Sequence, residues 1–215
     1  MKRILFVTGA CALVVVSNAQ TFVGTGATAT TFYGGALFDL KNVSASNVDL
    51  TGNFHFLSSW TGDGTYRVYT KTGSYVGSES TLANWTLWGE ASTTGAGPTI
   101  WANLSLGSTK ALAAGDSIGV AFFHVGGSGI SVGDGAVGYR SGTGSFTDGT
   151  LTLTTGVAKG YGTSADPFNI HTLSPRTWAG EVEYTAAAAP VPEPATLGAL
   201  ALGAVAMLKR RKKAA

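Results

Sequence analysis

Apolar residues in residues 20–185 recur at every second position in short runs, and no long stretch sustains a helical stripe. Tyr66–Lys71 (YRVYTK) sets Tyr66, Val68 and Thr70 on one face against Arg67 and Tyr69 on the other. Leu151–Thr155 (LTLTT) alternates in the same way. Trp178–Tyr184 (WAGEVEY) reads as one strand, with Trp178, Gly180, Val182 and Tyr184 opposed to Glu181 and Glu183. In Ser117–Val125 (SIGVAFFHV) both faces are apolar, which marks a central strand buried on both sides. Further strands are predicted over Thr31–Leu40, Val48–Leu57, Trp85–Ala91 and Ala136–Arg140. Turn signals separate them at Asp63-Gly64, Gly73-Ser74, Gly115-Asp116, Asp134-Gly135 and Asp148-Gly149. Several short strands joined by such turns predict an all-β domain, an antiparallel β-sandwich or jelly roll, over residues 20–185.

The two ends break this pattern. At the N-terminus Lys2 and Arg3 precede an uncharged apolar run, Ile4–Val16, and then the small residues Ser17 and Ala19. That layout predicts a secretory signal peptide over 1–19. At the C-terminus a linker, 186–194, contains Pro192, Glu193 and Pro194, and an apolar stretch follows over 195–208. Its 14 residues make about 21 Å of helix, against a bilayer core of about 30 Å. This predicts a thin transmembrane helix suited to a temporary stop. The last segment, 209–215, carries Lys209, Arg210, Arg211, Lys212 and Lys213, a cluster expected to stay in the cytoplasm. An ordinary tail anchor is the alternative reading of the same segment.

Pro192-Glu193-Pro194, an apolar helix and a terminal basic cluster, in that order behind a leader, resemble a PEP-CTERM sorting signal. The resemblance implies a membrane-embedded exosortase that processes the chain after the secretion machinery has exported it. It also implies a Gram-negative producer of extracellular polysaccharide, with the membrane only a transient stage. Blocks such as FDLKN (Phe38–Asn42), NWTLWGEA (Asn84–Ala91) and SPRTWAGEVEY (Ser174–Tyr184) are similar to those of uncharacterised exported bacterial β-sandwich proteins. That second likeness implies fold and location, and no activity.

Charge and cysteine content fit an exported body. Seven of the 14 basic residues lie in the end segments, but only Glu193 of the 12 acidic ones does. Residues 20–189 therefore hold 7 basic and 11 acidic residues, a net charge of −4. This excludes the basic patch that nucleic-acid binding needs, so no nucleic-acid partner is expected. The only cysteine, Cys11, lies in the leader, which leaves the body without disulfides or thiolate metal sites.

Chemistry is sparse. His55, His124 and His171 are widely spaced and form no metal-binding pattern, and His124 follows an apolar run that suggests a structural place. GDGAVG (Gly133–Gly138) fits a dinucleotide fingerprint only by composition, because AVGYR after it reads as a strand rather than a helix. GGSGIS (Gly126–Ser131) is an isolated likeness to a calcium repeat, with Ser131 where an Asp is needed. Asp63, Asp116, Asp134 and Asp148 offer hard oxygens for Ca²⁺, although each also fits a plain turn. Glu181 and Glu183 lie on one strand face beside Trp178 and are the candidate glycosidase pair, against the simpler reading of a solvated face. Trp60, Tyr75, Trp85, Trp88 and Trp101 either form a carbohydrate platform or pack the core. Arg176 either stacks on Trp178 or pairs with an acid. Asn42, Asn84 and Asn103 fit the glycosylation acceptor pattern. No catalytic, cofactor or metal residue is assigned. The expectation is a non-enzymatic envelope or extracellular-matrix protein, structural or associated with exopolysaccharide, with a carbohydrate-binding module or a glycosidase-like hydrolase as alternatives.

Overall fold

A computed structural model describes residues 20–126, 136–160 and 165–186. The leader, the motif at 192–194, the apolar segment and the basic tail lie outside these residues, as does the Asp134-Gly135 turn. In chain order the strands are β1 (Gln20–Gly24), β2 (Thr31–Tyr33), β3 (Gly35–Asn42), β4 (Val48–Phe56) and β5 (Asp63–Thr72). They continue with β6 (Thr86–Thr94), β7 (Ala102–Ser105), β8 (Lys110–Leu112), β9 (Ser117–Gly126) and β10 (Val137–Ser141). The last are β11 (Gly144–Thr147), β12 (Leu151–Lys159), β13 (Thr172–Leu173), β14 (Arg176–Trp178) and β15 (Gly180–Ala186). Among the described residues no helix is long and apolar enough to cross a membrane.

These strands pair antiparallel throughout. A five-stranded sheet has the order β1-β15-β4-β7, with β8 on the other end of β4. A seven-stranded sheet runs β11-β12-β3-β9-β5-β6, with β13 on the end of β12, and a small third sheet runs β14-β10-β2. The two larger sheets share one core. Leu50, Phe54 and Phe56 of β4 and Val182 of β15 meet Phe38, Val68, Phe122 and Leu153 of the larger sheet. Phe122 lies 5.0 Å from Phe56 and 5.6 Å from Phe54, ring to ring, so the body is sandwich-like.

The central strand is where the pattern placed it: β9 pairs with β3 and β5 and is buried on both faces. Three other expectations need correction. Thr31–Leu40 is not one strand, since the chain leaves the small sheet at Gly34 and enters the large one as β3. Trp178–Tyr184 also divides, at Ala179, whose backbone bonds to Leu57 and Gly138 instead of continuing one ladder. Gly180 fits there because any Cβ would collide with the Trp178 ring. Period-two alternation reports which face a residue takes, and it survives a change of pairing partner. Asp63-Gly64 is no turn, because both residues lie in β5 opposite Thr94 and Thr93. By contrast, Asp148-Gly149 does close the β11–β12 hairpin. Gly149 takes φ 90°, and the Asp148 carboxylate accepts the amides of Thr150 and Leu151 at 2.8 and 2.9 Å.

The seven-stranded sheet has a second, outer layer. Leu37, Ala121, Phe123, Val125 and Val157 point away from the shared core and are covered by Tyr75, Trp85 and Phe168. Phe168 packs 4.8 Å from Phe123 and 5.1 Å from Trp85. Two charged residues tie this cover down. Asp39 accepts the Ser74 hydroxyl at 2.6 Å and the Tyr75 amide at 2.8 Å. Lys159 is fully buried and donates to the Ile170 carbonyl and the Thr172 hydroxyl, both at 2.8 Å. Burial lowers the Lys159 pKa to about 8, opposed by the charges of Glu79 and Asp166.

Candidate functional site

The outer face of the five-stranded sheet carries no such cover. Strand alternation sends Phe54 and Phe56 of β4 into the core and leaves Asn53 and His55 outside. His55 lies in register with Asn103 on β7 and with Glu181 on β15. Its Nδ1 stands 3.5 Å from Glu181 Oε2, with both side chains about a quarter exposed. Phe22 of β1 stacks on His55 at 4.2 Å and 21°. These two residues sit two strands apart, about 9.6 Å at normal strand spacing, so their side chains lean together over β15. Trp101, immediately before β7, stands 6.2 Å from the other side of His55. Three half-buried rings thus form a row across the strands.

Beside the row is a groove of about 330 Å³ lined by Asn53, His55, Asn103, Ser105 and Glu183. Gly52 takes φ 77°, and the register of β4 against β15 shifts between Val182 and Tyr184. Glu183 lies at this bulge and is 4% exposed. Its Oε2 accepts Asn53 Nδ2 at 2.5 Å and the Thr51 hydroxyl at 3.2 Å. A side chain at Gly52 would strike the Ser108 carbonyl and could not adopt this turn without strain. Gly24 is equally confined, because a Cβ there would meet the side chain of Glu181.

The structure sorts the candidates from the sequence. Trp178 is fully buried and stacked on Phe38 at 4.4 Å, so it is no partner for Glu181 and Glu183 at a surface. Arg176 lies 5.5 Å over the Tyr139 ring rather than on Trp178. Trp85 is buried in the outer cover and donates its indole N–H to Ser78 O at 2.9 Å, beneath the same cover as Tyr75. Trp88 packs edge-on to Phe54 at 5.6 Å, and Trp60 is half-buried. Of these aromatics, Trp101 joins the row.

The histidines are dispersed. His124 is buried against Tyr66 at 5.2 Å, and His171 stands edge-on to Tyr33 at 6.4 Å. Asp63 accepts the Thr94 hydroxyl, and Asp148 accepts the Tyr184 hydroxyl at 2.7 Å. Among the described residues no three His, Cys, Asp or Glu side chains gather as metal ligands. Ala136–Gly138 leads into β10 rather than into a helix, so the glycine pattern there supports no phosphate site. Most of GGSGIS lies outside the described residues. Asn42 is buried and bonded to Leu112 O at 3.1 Å, whereas Asn103 is exposed on the open face.

Phe22 and Asn53 did not stand out in the sequence. For Asn53 a signal was present: TGNFHF alternates polar with aromatic residues, so its polar members must share one face. Phe22 carried no comparable signal, since only β1–β15 pairing brings it near His55.

Comparison with known proteins adds one finding. Residues 190–213 match the PEP-CTERM protein-sorting motif. The motif marks an exported protein processed by an exosortase. No curated protein matches the chain.

Proposed function

We propose that this protein is a non-catalytic component of the cell envelope or extracellular matrix that associates with exopolysaccharide through the open sheet face. The observation that carries the reading is the ring row Phe22–His55–Trp101 set beside amide and hydroxyl groups. A pyranose presents a face of C–H bonds with partial positive charge, which suits the negative face of an aromatic ring. Its hydroxyls need both donors and acceptors, and Asn103, Ser105 and Asn53 offer them. One feature favours binding over hydrolysis. The Glu183 carboxylate is committed to Thr51 and Asn53, which leaves Glu181 without a second free carboxyl beside it. A glycosidase needs one carboxyl free to deliver a proton and another free to act at the sugar.

Delivery follows from the ends. The leader over 1–19 starts export, and the apolar segment over 195–208 holds the chain briefly in the inner membrane. Lys209, Arg210, Arg211, Lys212 and Lys213 keep the tail cytoplasmic. Cleavage at Pro192-Glu193-Pro194 then frees the body. Mass analysis of the protein recovered from envelope or medium should find a C-terminus near this motif, and a chain retaining Lys213 there contradicts the route.

The binding reading is tested with the purified full chain and the exopolysaccharide of the producing cell. The protein should co-sediment with the polymer and release no reducing ends. The Phe22→Ala/Trp101→Ala variant should stay in solution while keeping its thermal melting. Equal sedimentation of both proteins contradicts the assignment of the face, and turnover that disappears in Glu181→Gln establishes a hydrolase instead.

A further inference from the structure

Resting on that polysaccharide reading, we infer that the open face selects glycans bearing free, protonated amino groups and disfavours those bearing carboxylates or sulfates. The four strands of the face, QTFVG, VDLTGNFHF, ANLS and GEVEYTA, contain no lysine or arginine. They contain three acids. Glu181 sits in register with His55, Glu183 lines the groove, and Asp49 is exposed farther along β4, opposite Thr185 and Ala111. Of the basic residues of the body, Lys41, Arg67 and Lys71 lie on the seven-stranded sheet, Arg140 and Arg176 on the small one, and Lys159 is buried; Lys110 is on β8 of the same five-stranded sheet, in register with the core residue Leu50 rather than with the ring row. An anionic sugar over the ring row would therefore meet like charge with no cation on these four strands to offset it.

An ammonium group meets the opposite situation. It is attracted to the faces of Phe22 and Trp101, because an aromatic ring is negative over its face. It also gains from a carboxylate that is about a quarter exposed, where screening by water is incomplete. Glu181 is the group placed for this. Its carboxylate edge reaches the row at His55, and Gly24 holds the neighbouring strand close against it. Glu183, bonded from two sides, sets the local field and the groove wall rather than a contact.

The test uses the processed protein recovered from envelope or medium and three soluble oligosaccharide probes of similar length: a β-linked glucosamine oligomer, its fully N-acetylated form, and an oligouronate. The glucosamine oligomer should bind about tenfold tighter than the acetylated one at low salt, the scale of one ammonium contact to a ring or carboxylate. The uronate should not bind. Glu181→Gln should bring the glucosamine oligomer down to the affinity of the acetylated one, while Trp101→Ala should weaken both. Equal binding of amine and acetylated probes overturns the amine selection but leaves the glycan reading standing. Amine binding that survives Trp101→Ala also overturns it, since attraction to an acidic body would then suffice. Failure to bind every probe, and the producing cell's own polysaccharide as well, overturns the reading on which the inference rests.

Discussion

The two outer faces of this sandwich are built from the same strand chemistry and end differently. Outside the seven-stranded sheet, apolar residues of β3, β5, β9 and β12 are roofed by Tyr75, Trp85 and Phe168, and the roof is fastened by Asp39 and Lys159. Outside the five-stranded sheet, aromatic and polar residues alternate with nothing above them among the described residues. One face buries its aromatics to gain stability, and the other leaves a row of rings half-exposed. The sheet without a roof is the one to which a functional role can be attached, because its rings are not used up in packing.

The comparison breaks most easily at the roof. Phe168 is fully buried among Phe123, Tyr69 and Trp85, so Phe168→Ala should cost about 3–5 kcal/mol in denaturant unfolding. A cost near zero would mean that the roof is not part of the folded unit. The next effect concerns the fastening. Lys159 falls from 10.5 to about 8 on folding, so the unfolded chain keeps its proton to higher pH. The penalty of burying the ammonium is fully present below pH 8 and disappears as pH rises towards 10.5, so the contribution of Lys159 to stability should climb across that window. Lys159→Met should flatten the difference between unfolding measured at pH 7.5 and pH 10; an unchanged slope assigns it to other groups.

On the open side the effects are smaller. Glu183→Gln places an amide against the Asn53 amide and should cost about 1–3 kcal/mol. It should weaken glycan binding through the groove wall, and a neutral result in both assays would show that the bulge, not the carboxylate, sets the site. Trp101→Ala should change stability by no more than about 0.5 kcal/mol while abolishing retention on polysaccharide. A Trp101 variant as unstable as the Phe168 variant would erase the distinction between the faces.

Of this contrast the sequence carried one part, the strand buried on both sides, and the reason the rest was hidden is physical. SIGVAFFHV declared itself buried on both sides because its alternation vanishes, and β9 is indeed sandwiched between a core and a roof. Which segments form that roof was not legible, since Trp85 and Phe168 come from irregular stretches where no period operates. Trp178 and Glu181 seemed to lie on one strand, yet the chain changes sheets between them at Ala179, and alternation carries no record of the pairing partner. The ring row depends on segments separated by up to 79 residues, Phe22 to Trp101, so local pattern exposed neither Phe22 nor the meeting of the three rings. The sorting motif was legible throughout because an address of this kind is read as linear sequence.

The most direct test follows the indole N–H resonances of Trp101 and Trp85 by NMR while the producing cell's exopolysaccharide is added to the full chain. The account predicts that the Trp101 signal shifts and broadens while Trp85, buried within the roof and bonded to Ser78, stays in place. A shift at Trp85 with Trp101 unmoved, or no shift at either, would contradict the assignment of the open face as the working surface.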